Sequence, residues 1–152
     1  MRKSLILVLS ALSWSGASMA TAGEPARPMA EMHGDCASYL TDVSQDLALW
    51  AQPPKPVAAS SASATAVTAP LETRLRVALK PHSDVRFPAA PEQMRGAPDK
   101  FSGLLAFKTG AAGAYRLSAS NGLWLDVIGP GGLIPSRTFE MQTKCDRIFK
   151  TV

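Results

Sequence analysis

The chain has 152 residues, 46% of them hydrophobic and 18% charged, with a formal net charge of +4. It is long enough for one compact domain with a single hydrophobic core, and its small positive balance gives no case for a nucleic-acid partner.

Arg2 and Lys3 open the chain, an apolar run follows from Leu5 to Trp14, and small residues lead to Ala20-Thr21-Ala22. A basic start, an apolar stretch too short to span a bilayer and an A-x-A cleavage site make the tripartite pattern of a secretory signal peptide over 1–22. Cleavage near Ala20 to Ala22 would deliver a periplasmic or secreted protein. Without Arg2 and Lys3 the 16 basic residues fall to 14 against 12 acidic ones, a balance of +2. Residues 23–70 carry two basic and five acidic side chains, whereas 71–152 carry twelve and seven, so the N-terminal segment and the body have opposite sign. No lipobox precedes Cys36, and no later apolar stretch reaches transmembrane length.

The segment 23–51 contains one helical period. Cys36, Tyr39, Leu40, Val43, Leu47 and Trp50 recur at three- and four-residue steps behind Asp35, a competent N-cap, and Pro53-Pro54 ends the run. This predicts an amphipathic helix of about four turns with one face docked on the rest of the domain. Residues 52–70 begin Gln-Pro-Pro-Lys-Pro-Val and continue as an Ala/Ser/Thr tract without a hydrophobic period. Their composition predicts a linker or surface loop.

From residue 71 the period becomes two. Leu71, Thr73, Leu75, Val77 and Leu79 alternate with Glu72, Arg74, Arg76, Ala78 and Lys80, the clearest strand in the chain. Shorter runs follow at 85–87, 101–108, 114–118, 123–128, 137–141 and 147–149, separated by Thr109-Gly110, Asn121-Gly122 and Gly129-Pro130-Gly131-Gly132. The last of these turns predicts a hairpin loop. Short strands with almost no helix between them predict a mainly β domain over 71–152, an antiparallel β-sandwich or small barrel, with the single N-terminal α-helix packed on it. Ile148, Phe149 and Val152 read as a strand still in progress, so either an edge strand closes the domain or the chain continues in the full protein.

Few residues offer chemistry. Cys36 and Cys145 are the two cysteines, and export to an oxidising compartment predicts a disulfide between the two ends of the domain. No C-x-x-C, G-x-S-x-G or phosphate-binding loop is present in the mature chain, so no catalytic residue is assigned. His33 and His82, with Asp35 or Asp84, have the composition of a two-histidine, one-carboxylate iron site, and otherwise are two loop histidines. If Leu123, Leu125 and Val127 face the core, Trp124 and Asp126 face outward together. With Tyr115 they make a candidate surface for a small ligand or an envelope partner.

The succession Phe101-Ser102-Gly103-Leu104-Leu105-Ala106-Phe107, Gly113-Ala114-Tyr115-Arg116-Leu117, Leu123-Trp124-Leu125-Asp126-Val127 and Lys144-Cys145-Asp146-Arg147-Ile148-Phe149-Lys150 resembles a group of small exported bacterial proteins. Many of these are catalogued as homogentisate 1,2-dioxygenase, others as hypothetical proteins, and the similarity runs from Cys36 to Val152. It implies chains that continue past Lys150-Thr151-Val152 into a further strand and hairpin. The dioxygenase name implies Fe2+ and aromatic ring cleavage. Genuine homogentisate dioxygenases resemble large cupin enzymes that hold iron between two histidines and a glutamate. With only His33 and His82 and no matching motif around either, no catalytic residue carries over. The residues therefore favour a non-enzymatic envelope or binding module without a cofactor, with an iron-dependent ring-cleaving dioxygenase as the alternative.

Overall fold

The computed structural model describes residues 29–92 and 100–152; the signal-peptide reading of 1–22 lies outside them. The described protein is mainly β with one α-helix and several small sheets.

The N-terminal periodicity is realised in two pieces rather than as one helix. Asp35 does cap, its carboxylate accepting from the Ala37 N–H and the Ser38 hydroxyl at 3.0 Å each, but what it caps is a single 3-10 turn, Cys36–Ser38. The α-helix proper, α1, is Ser44–Trp50. Between them Tyr39 is extended, and the N–H groups of Leu40 and Thr41, which a continuous helix would use internally, instead donate to the two carboxylate oxygens of Glu140 at 2.6 and 3.1 Å. Tertiary bonding has overridden local propensity. The apolar stripe is nonetheless the docked face. Tyr39 and Val43 join Cys145 and Ile148 in the core, and Cys36, Leu47 and Trp50 pack against them, whereas Leu40 is exposed.

The far end of α1 is capped from the body. Arg74 Nη1 donates to the carbonyls of Trp50 and Gln52 at 2.7 and 3.1 Å, and its guanidinium lies 5.3 Å from the Trp50 ring centroid. A cation at a helix C-terminus satisfies carbonyls that have no intrahelical donor. Arg116 makes a second tie, donating to the Asp42 carbonyl at 2.6 Å and to Asp46 Oδ2 at 2.9 Å, while Ser118 donates to the other Asp46 oxygen. The opposite signs of the two segments meet in the bridge between Arg116 and Asp46.

A denser set of bonds joins residues 32–41 to the C-terminal segment. Gln142, fully buried, accepts from Gly34 N at 2.7 Å through Oε1 and donates from Nε2 to the Ser38 carbonyl at 2.9 Å. The N–H groups of Thr143 and Lys144 donate to the carbonyls of Met32 and Gly34. Gly34 is required by proximity, because a Cβ there would sit 2.2 Å from the Ser38 side chain and 2.8 Å from Gln142 Oε1. Cys36 and Cys145 form the expected disulfide, 109 residues apart in sequence. The Tyr39 hydroxyl donates to the Ile148 carbonyl at 3.0 Å, and burial pushes its phenol up to about 12, the carboxylates of Glu140 and Asp46 adding to the shift.

Eleven strands of two to four residues follow: β1 Lys55–Ala58, β2 Val67–Ala69, β3 Leu75–Ala78, β4 Lys80–Pro81, β5 Phe101–Ser102, β6 Leu105–Phe107, β7 Ser118–Ala119, β8 Val127–Gly129, β9 Gly132–Ile134, β10 Glu140–Met141 and β11 Lys150–Thr151. Among the described residues they form five sheets, none closed: β1–β3, β2–β6, β4–β5, β8–β9 and the three-stranded β10–β11–β7. Three sheets are antiparallel as expected, but β1–β3 and β2–β6 are parallel. Residues 52–70, expected to be a linker, hold β1 and β2, and Ala59, Ser60 and Ala69 are buried. The long connection 59–74 supplies the crossover that a parallel pair needs. It turns back into β3 through Glu72, whose φ of 49° lies in the left-handed region.

Gly129-Pro130-Gly131-Gly132 forms the predicted hairpin, pairing Val127 with Ile134 and Ile128 with Leu133, and Gly132 takes a φ of 107° that other residues rarely adopt. The last strand, β11, is not an edge. It lies between β10 and β7, and Leu117 and Val152 exchange both backbone bonds beyond it.

Two predictions test the junction between the chain's two ends. Opening the covalent ring by Cys145→Ser should lower the melting temperature of the oxidised protein by several degrees, since closing a loop of 109 residues is worth about 4 to 5 kcal/mol in the chain-entropy account. An unchanged melt would show that the non-covalent bonds suffice. Tyr39 holds its proton more tightly in the folded state than the ordinary value of 10.0, so its contribution is complete below that pH and is lost as pH rises through about 12. The urea midpoint of the wild type should therefore fall more steeply across that alkaline window than that of Tyr39→Phe.

Candidate functional site

The sheets border one wide cleft of about 2060 Å3, lined on one wall by β3 and β5 and on another by residues 114–126, with Phe139, Met141, Phe149 and Lys150 also contributing. It exceeds the roughly 300–1,000 Å3 of a typical small-molecule pocket. A small ligand would occupy a corner of it, so the informative question is where its polar groups converge.

One such corner surrounds Trp124. Leu123 and Leu125 are half-buried on either side, leaving the Trp124 ring 46% exposed. The indole N–H donates to Asp126 Oδ1 at 2.8 Å, and Asp126 Oδ2 accepts from the Glu92 N–H at 3.2 Å. Each carboxylate oxygen thus accepts one hydrogen bond, and one of them holds the indole in place. An exposed aromatic ring with a fixed orientation loses little entropy on contact with a ligand. Tyr115 lines the same cleft, is exposed, and spends its hydroxyl on the Ala111 carbonyl at 2.6 Å.

Sequence reasoning missed the cation in this corner. Lys150 is only 4% exposed, and its Nζ lies 5.6 Å from the Trp124 ring centroid and 5.9 Å from that of Phe139. Burial pushes its ammonium below the ordinary lysine value, and the Asp126 charge offsets part of that shift. Ring faces stabilise a cation electrostatically but accept none of its N–H donors in the way an oxygen would. The partners of Lys150, Trp124 and Phe139, are remote from it in sequence and left no pattern.

The histidines are placed apart from this corner in their bonding. His33, exposed, has Nδ1 2.9 Å from the Thr143 hydroxyl beside the disulfide. His82, half-buried, has Nδ1 2.6 Å from the Ser102 hydroxyl and its ring 5.3 Å from that of Phe87. Two histidines and an acid within 4.8 Å of one another do not occur among the described residues; the group that does is Cys36, Cys145 and Asp146, whose sulfurs are bonded to each other. A disulfide sulfur is not the thiolate a metal requires. His33 and His82 are not drawn together with Asp35 or Asp84 into such a group among the described residues.

No helix among the described residues is long and apolar enough to cross a membrane. Comparison with protein-family models, with curated proteins and with solved structures finds no match to this chain.

Proposed function

We propose that the protein is an exported, non-enzymatic binding module of the cell envelope, which takes a small ligand or an envelope partner at the Trp124 corner of its cleft. The observation that carries this reading is the half-exposed Trp124, oriented by its hydrogen bond to Asp126 within the cleft lining. Export is supported by the pattern of residues 1–22 and by a disulfide of the kind that persists in oxidising compartments. In this reading the short sheets are the faces of one β-sandwich whose open side is the binding surface.

The test combines oxygen uptake with retention. Protein beginning at residue 23, reconstituted with Fe(II) and offered homogentisate, should consume no oxygen. Immobilised, it should retain envelope components that a folded Trp124→Ala variant releases. Oxygen uptake abolished in the His33→Ala/His82→Ala double variant would replace the proposal with the dioxygenase reading. Retention unaffected by Trp124→Ala would remove this corner from the account.

A further inference from the structure

Lys150 is a buried polar group of the cleft whose bonding is incomplete among the described residues. It sits on β11, the central strand of its sheet, opposite Met141 of β10 and Ala119 of β7, and its side chain lines the cleft. Its neighbours are aromatic, Trp124 and Phe139, and the nearby Asp126 carboxylate accepts from the Trp124 indole and the Glu92 N–H. Among the described residues no hydrogen bond or ion pair reaches its Nζ. A charge taken this far out of water is costly unless an oppositely charged, hydrogen-bonding group meets it. Here that group can come from the cleft side.

We propose that Lys150 is the anion-receiving residue of a ligand site for amphipathic monocarboxylates: Nζ donates to the carboxylate, and the alkyl chain lies along the Trp124 and Phe139 rings into the apolar cleft. The inference rests on the reading of the Trp124 corner as a binding surface and deepens it by naming the ligand class. A carboxylate matches a single ammonium, since Lys presents a compact point charge rather than the planar fork with which Arg grips carboxylate or phosphate bidentately. The alkyl preference follows from Met141, Trp124, Phe139 and Leu125, apolar side chains that line the cleft together with Lys150. A cationic headgroup carries the same charge as Lys150 and can accept no hydrogen bond from its Nζ, which only donates.

The probes are decanoate, 1-decanol and decyltrimethylammonium, titrated calorimetrically into the disulfide-bonded protein beginning at residue 23. The wild type should bind decanoate at least about tenfold more tightly than decanol, as a charge-assisted hydrogen bond allows, and decyltrimethylammonium most weakly. Lys150→Met should lose the preference for decanoate while keeping its affinity for decanol. A second measurement needs only the wild type. Acetylation of Lys150, followed by peptide mass spectrometry, should slow with decanoate and not with decanol. Equal affinity for all three probes, a decanoate preference that survives Lys150→Met, or acetylation indifferent to decanoate would each overturn the assignment. Failure of this proposal alone leaves Trp124-dependent retention of envelope components intact. Failure of the underlying reading would also abolish the difference between wild type and Trp124→Ala in that retention experiment.

Discussion

The buried amide of Gln142 is the constraint on which the rest of the structure depends. It reaches across more than a hundred residues of sequence to take the Gly34 N–H and the Ser38 carbonyl, and the disulfide, the Glu140 carboxylate and the Tyr39 hydroxyl act along the same seam. Each of these groups is buried or half-buried, where an unmade hydrogen bond costs more than a made one contributes. The seam therefore behaves as a set: removing one partner leaves another polar atom stranded. Its consequence for architecture is that the N–H groups of Leu40 and Thr41 serve Glu140 rather than a helix, and α1 begins only at Ser44.

The seam also decides where the cleft can be. By fixing β10 and β11 to the N-terminal segment, it sets Lys150 in the middle of its sheet and brings Phe139 and Trp124 around it, although none of the three is near the seam in chemistry. Arg74 and Arg116 then hold the two ends of α1 against the body, so that the helix forms part of the cleft wall. The hydrophobic core cluster of Tyr39, Val43, Cys145 and Ile148 lies at the seam. Much apolar surface is left facing the cleft, including Phe101, Phe107 and Leu79.

What could be read in the sequence was mostly local or covalent. Two cysteines and the pattern of an exported chain led to the disulfide, and a glycine-rich turn led to the hairpin, because each depends on residues whose chemistry is specific at short range. The apolar stripe from Cys36 to Trp50 identified the docked face but not the break within it, since the break is caused by Glu140. The tract 52–70 was misread for a different reason. Small side chains look like spacers in a sequence, yet they allow backbones to approach closely: a Cβ on Gly103 would lie 2.2 Å from the Ala59 side chain, and Ala59 and Ala69 are almost fully buried. Trp124 and Asp126 were legible as a pair because they are two residues apart. Lys150 was not, because its burial is the work of rings that arrive from elsewhere in the chain.

The covalent ring closed by Cys36 and Cys145 has a mechanical consequence. Tension entering through segments outside the ring is carried by the sulfur bridge and bypasses nearly every strand, from β1 to β10. Among the described strands, β11 lies downstream of Cys145 and is unshielded. A pull on that side would strip β11 from β7 and β10 first, drawing Lys150 away from Trp124 and Phe139 while the ring stayed whole. The corner that holds the buried cation is thus also the point at which the molecule would yield to force.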